Sequence, residues 1–276
     1  MSSADDLDAG TLLAADEAPA FERVIGNRSR PVMIVCDHAS NRVPRSLGGL
    51  GLPDAHFEDH IAWDIGAAAV TRRLLEWFDA SGVLASYSRL VVDLNRALVD
   101  ASAFPQLSDG MVVPANIGLT DRAKARRAEA LYHPYHNAVS ELVASSSSLR
   151  QTPVFISVHS FTPRQHGMER PWHIGVLWDK DPRLPLALLQ GLRAGRDLVV
   201  ADNEPYSGRH SADYTIDHHA EPLGIAHASV EIRQDLIREE VGQERIAARL
   251  AEVLRPALEL DAMYDPARSW LRGVPL

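Results

Sequence analysis

Two histidines follow apolar segments of the chain and have the chemistry of metal ligands. Residues 32–35 form an apolar run that is followed by His38, and the mostly apolar run 154–158 ends at His159. Such runs predict buried strands of an α/β sheet, and ligands of these sheets bind beyond the carboxyl ends of the strands. Two imidazoles and a carboxylate at one sheet edge would form a zinc site with an open position.

Asp64 is a candidate for the carboxylate of this site. It stands four residues after His60, in a segment whose apolar residues recur at helical spacing. This spacing predicts a helix with His60 and Asp64 on one face. Asp64 then either reaches the metal or forms a solvated pair with His60, and the sequence leaves both readings open.

Glu231 interrupts the last apolar run of the chain, residues 226–232. Burying a carboxylate costs free energy unless the group is paired or hydrogen-bonded. Glu231 is therefore either an ion-pair partner of Arg233 or a general base with a raised pKa.

A further apolar run, residues 90–94, ends at Asn95 and Arg96 and is interpreted as a strand. Arg96 could donate a planar pair of N–H groups to a substrate carboxylate, and Asn95 could add an amide donor. An ion pair of Arg96 with Asp93 or Asp100 is the structural alternative.

Two polar segments are interpreted as loops that line the site. Residues 163–171 include Arg164, and residues 214–219 begin with Tyr214. Arg164 and Tyr214 are therefore candidates for substrate binding, because loops held by a rigid sheet often carry binding residues. Arg233, directly after the last apolar run, is a further candidate.

The lone cysteine, Cys36, allows a rival mechanism. It stands two residues before His38, which could act as its base. Because Cys36 lies inside an apolar run, a buried small hydrophobic residue is the alternative interpretation.

Composition limits the class of protein. The chain has 276 residues and a formal net charge of -9, which disfavours nucleic acid and anionic membranes as partners. A single cysteine excludes a disulfide framework and fits a reducing cytoplasm. Residues 1–20 are acidic and small and predict a flexible tail, followed by one domain over residues 21–276. Alternating strands and helices predict an α/β three-layer α/β/α sandwich around a mixed, mostly parallel sheet.

Taken together, these segments resemble the N-formylglutamate amidohydrolase family. That family is similar to the zinc-dependent exopeptidases, whose relatives include carboxypeptidases and aspartoacylase. The resemblance implies the same sandwich fold, one zinc ion and a small-molecule substrate. It is carried by residues 36–44, 60–67, 92–96, 157–163, 203–206 and 231–236.

The resemblance also implies roles for individual residues. His38 and His159 match two zinc ligands, and Asn41 stands where the wider clan has a glutamate ligand, so the third ligand is Asp64 or Asn41. Asn95 with Arg96 resembles the clan's substrate-carboxylate clamp, and Glu231 with Arg96 would form the catalytic pair.

The activity implied is hydrolysis of an N-acyl amino acid, such as N-formylglutamate, to formate and the amino acid. Histidine degradation in the cytoplasm would be the setting. Two alternatives stay open: a non-catalytic protein that binds a carboxylate ligand on the same fold, and a hydrolase that acts on another N-acyl amino acid.

Overall fold

A mixed sheet of seven strands lies at the centre of the protein. The computed structural model describes residues 11–27, 29–147, 151–209 and 213–265. Two short hairpins lie outside the sheet: β4 (Leu107–Ser108) with β5 (Met111–Val112), and β7 (Arg164–Gln165) with β8 (Met168–Glu169). The strands of the sheet are β1 (Phe21–Val24), β2 (Val32–Cys36), β3 (Ser81–Ala85), β6 (Val154–Phe161), β9 (Ile174–Leu177), β10 (Val200–Asp202) and β11 (His227–Arg233).

The strand order is β1-β3-β2-β6-β11-β9-β10. Strands β3, β2, β6 and β11 are parallel to one another, whereas β1 runs antiparallel to β3, and β9 runs antiparallel to β11. Because β2, β6 and β11 are adjacent and parallel, their carboxyl ends meet at one edge of the sheet.

Helices cover both faces of the sheet, which confirms the predicted α/β sandwich. Helices α1, α4 and α6 pack on one face, and α3 and α5 pack on the other. None of the helices in the described ranges combines the length and the apolar character needed to cross a membrane. The helices are α1 (Ala67–Phe78), α2 (Asp121–Arg127), α3 (His133–Ser146), α4 (Arg183–Ala194), α5 (Tyr214–His219) and α6 (Glu240–Ala257).

Side chains of the central strands alternate between two cores. On β11, Ala228, Val230 and Ile232 contribute to the core beneath α1, α4 and α6. Because successive side chains of a strand point to opposite faces, Ser229 and Glu231 face the side of α3 and α5. Polar residues therefore alternate with apolar ones along β11 and lie on the face that is turned toward α3 and α5.

The segment before α1 corrects one prediction. Residues 59–66 form turns, so His60 and Asp64 do not share a helical face. The helix starts only at Ala67, after Gly66, which has a left-handed φ of 82°. A Cβ at Gly66 would lie 2.2 Å from the carbonyl oxygen of Ile237, so both the conformation and the close approach require glycine.

Two other segments also differ from their predictions. Residues 90–94 form turns rather than a strand, and the backbone N–H of Asp93 donates to the carbonyl of Ala103. Residues 214–219 form α5 rather than a loop. The carboxylate of Asp213 caps this helix by accepting a hydrogen bond from the N–H of Ile216.

Part of the predicted N-terminal tail packs against the domain. Leu12 is buried in the core beneath α3, and the hydroxyl of Tyr87 donates to the carbonyl of Ala18 at 2.7 Å. Residues 1–10 lie outside the described residues. The prediction of one domain over residues 21–276 stays a prediction, but residues 11–20 belong to the packed structure.

Candidate metal and substrate site

His38, Asp64 and His159 converge near the carboxyl ends of β2 and β6. All three side chains are buried, and their candidate ligand atoms lie within 4.8 Å of one another. Oδ2 of Asp64 is 3.3 Å from Nδ1 of His38 and 2.9 Å from Nδ1 of His159. Two imidazole nitrogens and one carboxylate oxygen are a donor set that could hold a divalent metal ion with an open position.

Backbone contacts place Asp64 between the two histidines. The N–H of Asp64 donates to the carbonyl of His38 at 3.0 Å, and the N–H of Ser160 donates to Oδ2 of Asp64 at 3.3 Å. The turn before α1 is therefore tied to both strand ends, and its carboxylate cannot move independently of the imidazoles.

The outer nitrogens of both imidazoles lie beside acidic side chains. Nε2 of His38 is 2.8 Å from Oδ1 of Asp93, and Nε2 of His159 is 3.3 Å from Oδ2 of Asp37. If each Nε2–H donates to its carboxylate, the Nδ1 lone pairs face Asp64. This is the arrangement by which carboxylates orient metal-binding histidines.

In the absence of a metal ion, these groups share protons. Burial opposes the charge on Asp64, but His38 and His159 hold its pKa below the ordinary range. Burial also disfavours the charged form of His159, but hydrogen bonds to Asp37 and Asp64 raise its pKa well above the usual value. A metal cation would therefore compete with protons for the imidazole nitrogens.

A cavity of about 290 Å³ opens onto the three residues. Its wall combines two guanidinium groups, three carboxylates and several neutral hydrogen-bonding groups with a comparable area of apolar surface. Besides His38, Asp64 and His159, it is lined by Arg89, Asn95, Arg96, Ser160, Gln165, Leu177, Tyr206, Ser207, Asp213 and Glu231.

Glu231 lines this cavity as a nearly buried carboxyl group, 7% exposed. It is the register partner of His159 on the neighbouring parallel strand. Burial raises the pKa of Glu231 to about 7, and Asp64 and Asp213 add to this effect while His159 opposes it. Its Oε2 makes no hydrogen bond within the described part of the chain. Such a group can take up a proton near neutral pH.

One reading of the sequence suggested an ion pair between Arg233 and Glu231. The structure does not contain this ion pair. The guanidinium of Arg233 donates to both carboxylate oxygens of Asp235, at 2.7 and 3.1 Å, and to the carbonyls of Arg170 and Pro171. Arg233 is absent from the cavity lining, so its predicted contact with substrate is not supported by its position.

Asn95 and Arg96 both line the cavity. Oδ1 of Asn95 accepts from the N–H of Thr215 at 2.9 Å, and its Nδ2 lies 3.5 Å from Nε2 of His159. Nη1 of Arg96 donates to the carbonyl of Asn95 at 2.9 Å. The backbone of Arg96 is held by the hydroxyl of Tyr132, which donates to its carbonyl at 3.0 Å. The two side chains could hold a carboxylate together.

Arg89 was not predicted as a site residue. Its Nε and Nη2 donate to Oδ2 of Asp93 at 3.2 and 2.9 Å, and its Nη1 is 3.4 Å from Oδ1 of Asp64. Burial opposes its charge, but the two carboxylates raise its pKa, so the guanidinium stays charged. The four-residue spacing of Arg89 and Asp93 was the available signal, but it lies across a segment interpreted as a strand.

Asp37 and Asp93 were also missed as partners of the histidines. Asp37 accepts from the hydroxyls of Tyr135 at 2.6 Å and Thr215 at 2.9 Å. Burial opposes its ionisation, but His159, His38 and Tyr135 lower its pKa to about 2. An acidic residue directly before His38 in the sequence was the signal for Asp37.

Three other predicted site residues lie elsewhere. The amide nitrogen of Asn41 donates to the carbonyl of Phe57 at 2.8 Å, so Asn41 is not positioned as the third ligand. Arg164 is exposed and paired with Glu169. Tyr214 stacks its ring on His218 at 4.9 Å and is absent from the cavity lining.

The position of Cys36 argues against a thiol nucleophile. Cys36 is fully buried in the core beneath α1, α4 and α6. Burial raises the pKa of its thiol to about 12, so a reactive thiolate is disfavoured at neutral pH.

Comparisons with known proteins identify the fold and the family. No curated protein matches the chain. It is similar to the crystal structure of gene product Atu2144 from Agrobacterium tumefaciens, with 38% identity, a TM-score of 0.86, and coverage of 90% of this chain and 98% of that chain. An N-formylglutamate amidohydrolase from Ralstonia eutropha shares the fold at 18% identity, with a TM-score of 0.52 and coverage of 93% and 100%.

The family comparison covers most of the chain. The model of the N-formylglutamate amidohydrolase family matches residues 30–238, a range that contains His38, Asp64, His159 and Glu231. It confirms the resemblance seen in the sequence. The chain therefore belongs to the N-formylglutamate amidohydrolase family.

Proposed function

We propose that the protein is a zinc-dependent amidohydrolase that cleaves the amide bond of an N-acyl amino acid, with an N-formyl amino acid as the first substrate to test. The observation that carries this proposal is the buried group of His38, Asp64 and His159 at the floor of a cavity that also contains Glu231. Membership of an amidohydrolase family supports the reaction class.

The donor set fits zinc. His38, Asp64 and His159 offer two nitrogens and one oxygen, and Asp93 and Asp37 orient the two rings. When bound, zinc acts as a Lewis acid and lowers the pKa of a bound water toward about 7.

Glu231 is the general base in this proposal. It accepts a proton as the oxygen of water attacks the acyl carbon, and it returns that proton to the nitrogen as the carbon–nitrogen bond breaks. The products are a carboxylic acid, which is formate for a formyl substrate, and a free amino acid. A carboxyl pKa of about 7 suits a group that must both accept and donate a proton near neutral pH.

The two guanidinium groups of the cavity bind different negative charges of the substrate in this proposal. In this proposal Arg89, which lies beside Asp64 in the cavity wall, donates to the oxygen on which negative charge develops. Arg96 and Asn95 hold the carboxylate of the amino acid, which orients the amide bond above the buried ligands.

The position of Asp64 removes the reason for considering a non-catalytic binding protein. That alternative was based on Asn41 in the place of a carboxylate ligand, and Asp64 supplies a carboxylate between both histidines. Histidine degradation and a cytoplasmic location stay predictions from the resemblance.

Metal analysis combined with a substrate panel tests the proposal. The purified protein should contain about one zinc per chain and should hydrolyse N-formyl amino acids. A chelator should abolish turnover, and added zinc should restore it. A thiol reagent should leave turnover intact because Cys36 is buried. A zinc-loaded protein that hydrolyses none of a panel of N-formyl and N-acetyl amino acids would contradict the proposal.

A further inference from the structure

We infer that Asp213 selects substrates by binding a cationic side chain, so that N-acyl derivatives of arginine or lysine are better substrates than N-acyl glutamate. This inference rests on the proposed function and specifies its substrate class.

Asp213 is a carboxylate in the cavity wall with few contacts of its own. It is 7% exposed and lines the same cavity as Glu231. Its Oδ1 accepts a 3.3 Å hydrogen bond from the N–H of Ile216, while Oδ2 has no hydrogen bond or ion pair within the described ranges. A carboxylate removed from water with so little compensation costs free energy, and a cation brought by a ligand would offset that cost.

The other charged groups of the cavity already have roles. The guanidinium of Arg89 is held by Asp93 and Asp64, and Arg96 is the group assigned to the substrate's α-carboxylate. An acidic side chain would therefore meet Asp213 without a further guanidinium in the described lining. A basic side chain would meet an available carboxylate.

The wall of the same cavity also suits a long basic side chain. Leu177 is the apolar residue of the described lining, and it can contact the methylene groups of an arginine or lysine. Gln165 and Tyr206 add neutral polar groups. Arg170 fixes both of them, since it donates to Oε1 of Gln165 and, at 3.2 Å, to the hydroxyl of Tyr206.

The first test compares kcat/KM for N-formyl-arginine, N-formyl-lysine and N-formyl-glutamate with zinc-loaded wild type and Asp213→Asn. Wild type should prefer the two basic substrates. Asp213→Asn should lower the ratio of kcat/KM for the basic substrates to kcat/KM for N-formyl-glutamate by about 10- to 100-fold, the factor expected for one charge-assisted contact. Asparagine also caps helices well, so α5 should persist.

Asp217→Asn is the matched control. Asp217 lies on the same short helix and is absent from the cavity lining. Its substitution should leave the ratio of basic to acidic substrates unchanged.

A binding measurement separates this inference from the proposed function. Free arginine and free glutamate are added to the zinc-loaded protein, and the shift in melting temperature is recorded. Stabilisation of wild type by arginine alone, with no hydrolysis of any substrate, would reject the proposed function and retain the role of Asp213. A preference of wild type for glutamate in both measurements would overturn the inference, even if Asp213→Asn failed to fold. So would an equal loss on all substrates in that variant.

Discussion

Glu231 lies directly beside His159, because the two residues are register partners on the adjacent parallel strands β11 and β6. The partner of Glu231 on the other side, on β9, is Gly175. A Cβ at Gly175 would lie 2.0 Å from the carbonyl oxygen of Glu204. Three neighbouring strands thus fix the carboxyl group of Glu231 beside a candidate metal ligand. The absence of a side chain at Gly175 lets the loop after β10 approach β9.

Replacement of Glu231 by glutamine should abolish turnover while metal binding persists. Glutamine keeps the shape of the side chain but cannot accept a proton, and loss of a general base typically lowers kcat by about 10²- to 10⁴-fold. The measurement is kcat per folded, zinc-loaded molecule. Glu239→Gln, at an exposed position, is the control. A near-normal kcat for Glu231→Gln would remove the base assignment.

Asp64 should matter far more for metal affinity than Asn41. Asp64 faces both histidines, whereas the amide of Asn41 donates to the carbonyl of Phe57. Asp64→Asn should therefore weaken zinc binding strongly, and Asn41→Ala should leave it nearly unchanged. Competition with a chromogenic chelator measures both constants. The reverse order of effects would return the ligand role to Asn41.

Asp93→Asn should weaken metal binding without removing a ligand. The carboxylate holds Nε2 of His38 and also anchors the guanidinium of Arg89. Losing an acidic partner of a metal-binding histidine typically costs about 10- to 100-fold in affinity or activity. Zinc titration of the folded variant checks this prediction. Unchanged affinity would mean that Asp93 serves Arg89 alone.

Arg96→Lys should impair recognition of the substrate carboxylate. Lysine keeps the positive charge but loses the planar pair of donors, and each charge-assisted hydrogen bond contributes about 1.5–3 kcal/mol. We expect a higher KM or a lower kcat/KM with zinc content unchanged. Wild type should also be slow on substrates whose carboxylate is amidated. Equal rates on acid and amide would contradict the assignment.

The buried pair His136 and His219 should make the protein less stable below pH 6.5. Nδ1 of His136 is 2.9 Å from Nε2 of His219, and burial lowers the pKa of the two rings to about 4 and about 3. As the pH falls from 6.5 toward 4, the unfolded chain binds protons that the folded protein excludes. The free energy of unfolding therefore falls with pH in this window and is fully recovered above 6.5.

Denaturant titrations of wild type and His219→Gln across this window test the effect. Removing one titrating ring should reduce the slope by up to about 1.4 kcal/mol per pH unit, because at most one proton fewer separates the two states. Titrating groups remote from this pair are common to both proteins and cancel in the difference. Parallel curves for the two proteins would show that His219 does not contribute.

Local sequence patterns predicted the site residues that lie on strands or soon after them. They missed Arg89 and Asp213, which lie outside the strands. His38, His159 and Glu231 follow or interrupt apolar runs, so local patterns were enough to place them at one sheet edge. Arg89 contacts Asp93 four residues away, but its contact with Asp64 spans 25 residues, and no nearby residue connects Asp213 with the cavity that it lines. No local periodicity encodes such contacts.

Asp64 was a candidate from the sequence, but the structural reason given for its position was wrong. Its role was one of two readings, and the predicted helical face that would have positioned it does not exist. Its actual position depends on the hydrogen bond from its N–H to the carbonyl of His38, which is 26 residues earlier in the chain. The family and the α/β sandwich were nevertheless predictable, because they depend on the order of the segments rather than on any single contact.

The three candidate metal ligands come from separate segments of the chain, and this separation affects when during folding a metal ion can bind. Asp64 follows His38 by 26 residues and precedes His159 by 95. An extended polypeptide would have to close loops of both lengths before it could hold an ion, and the entropy lost grows with loop length. During synthesis, the complete ligand set does not exist until residue 159 has emerged and β6 has paired with β2. Metal loading should thus be a late event that marks a chain as nearly folded, and unfolding should release the ion.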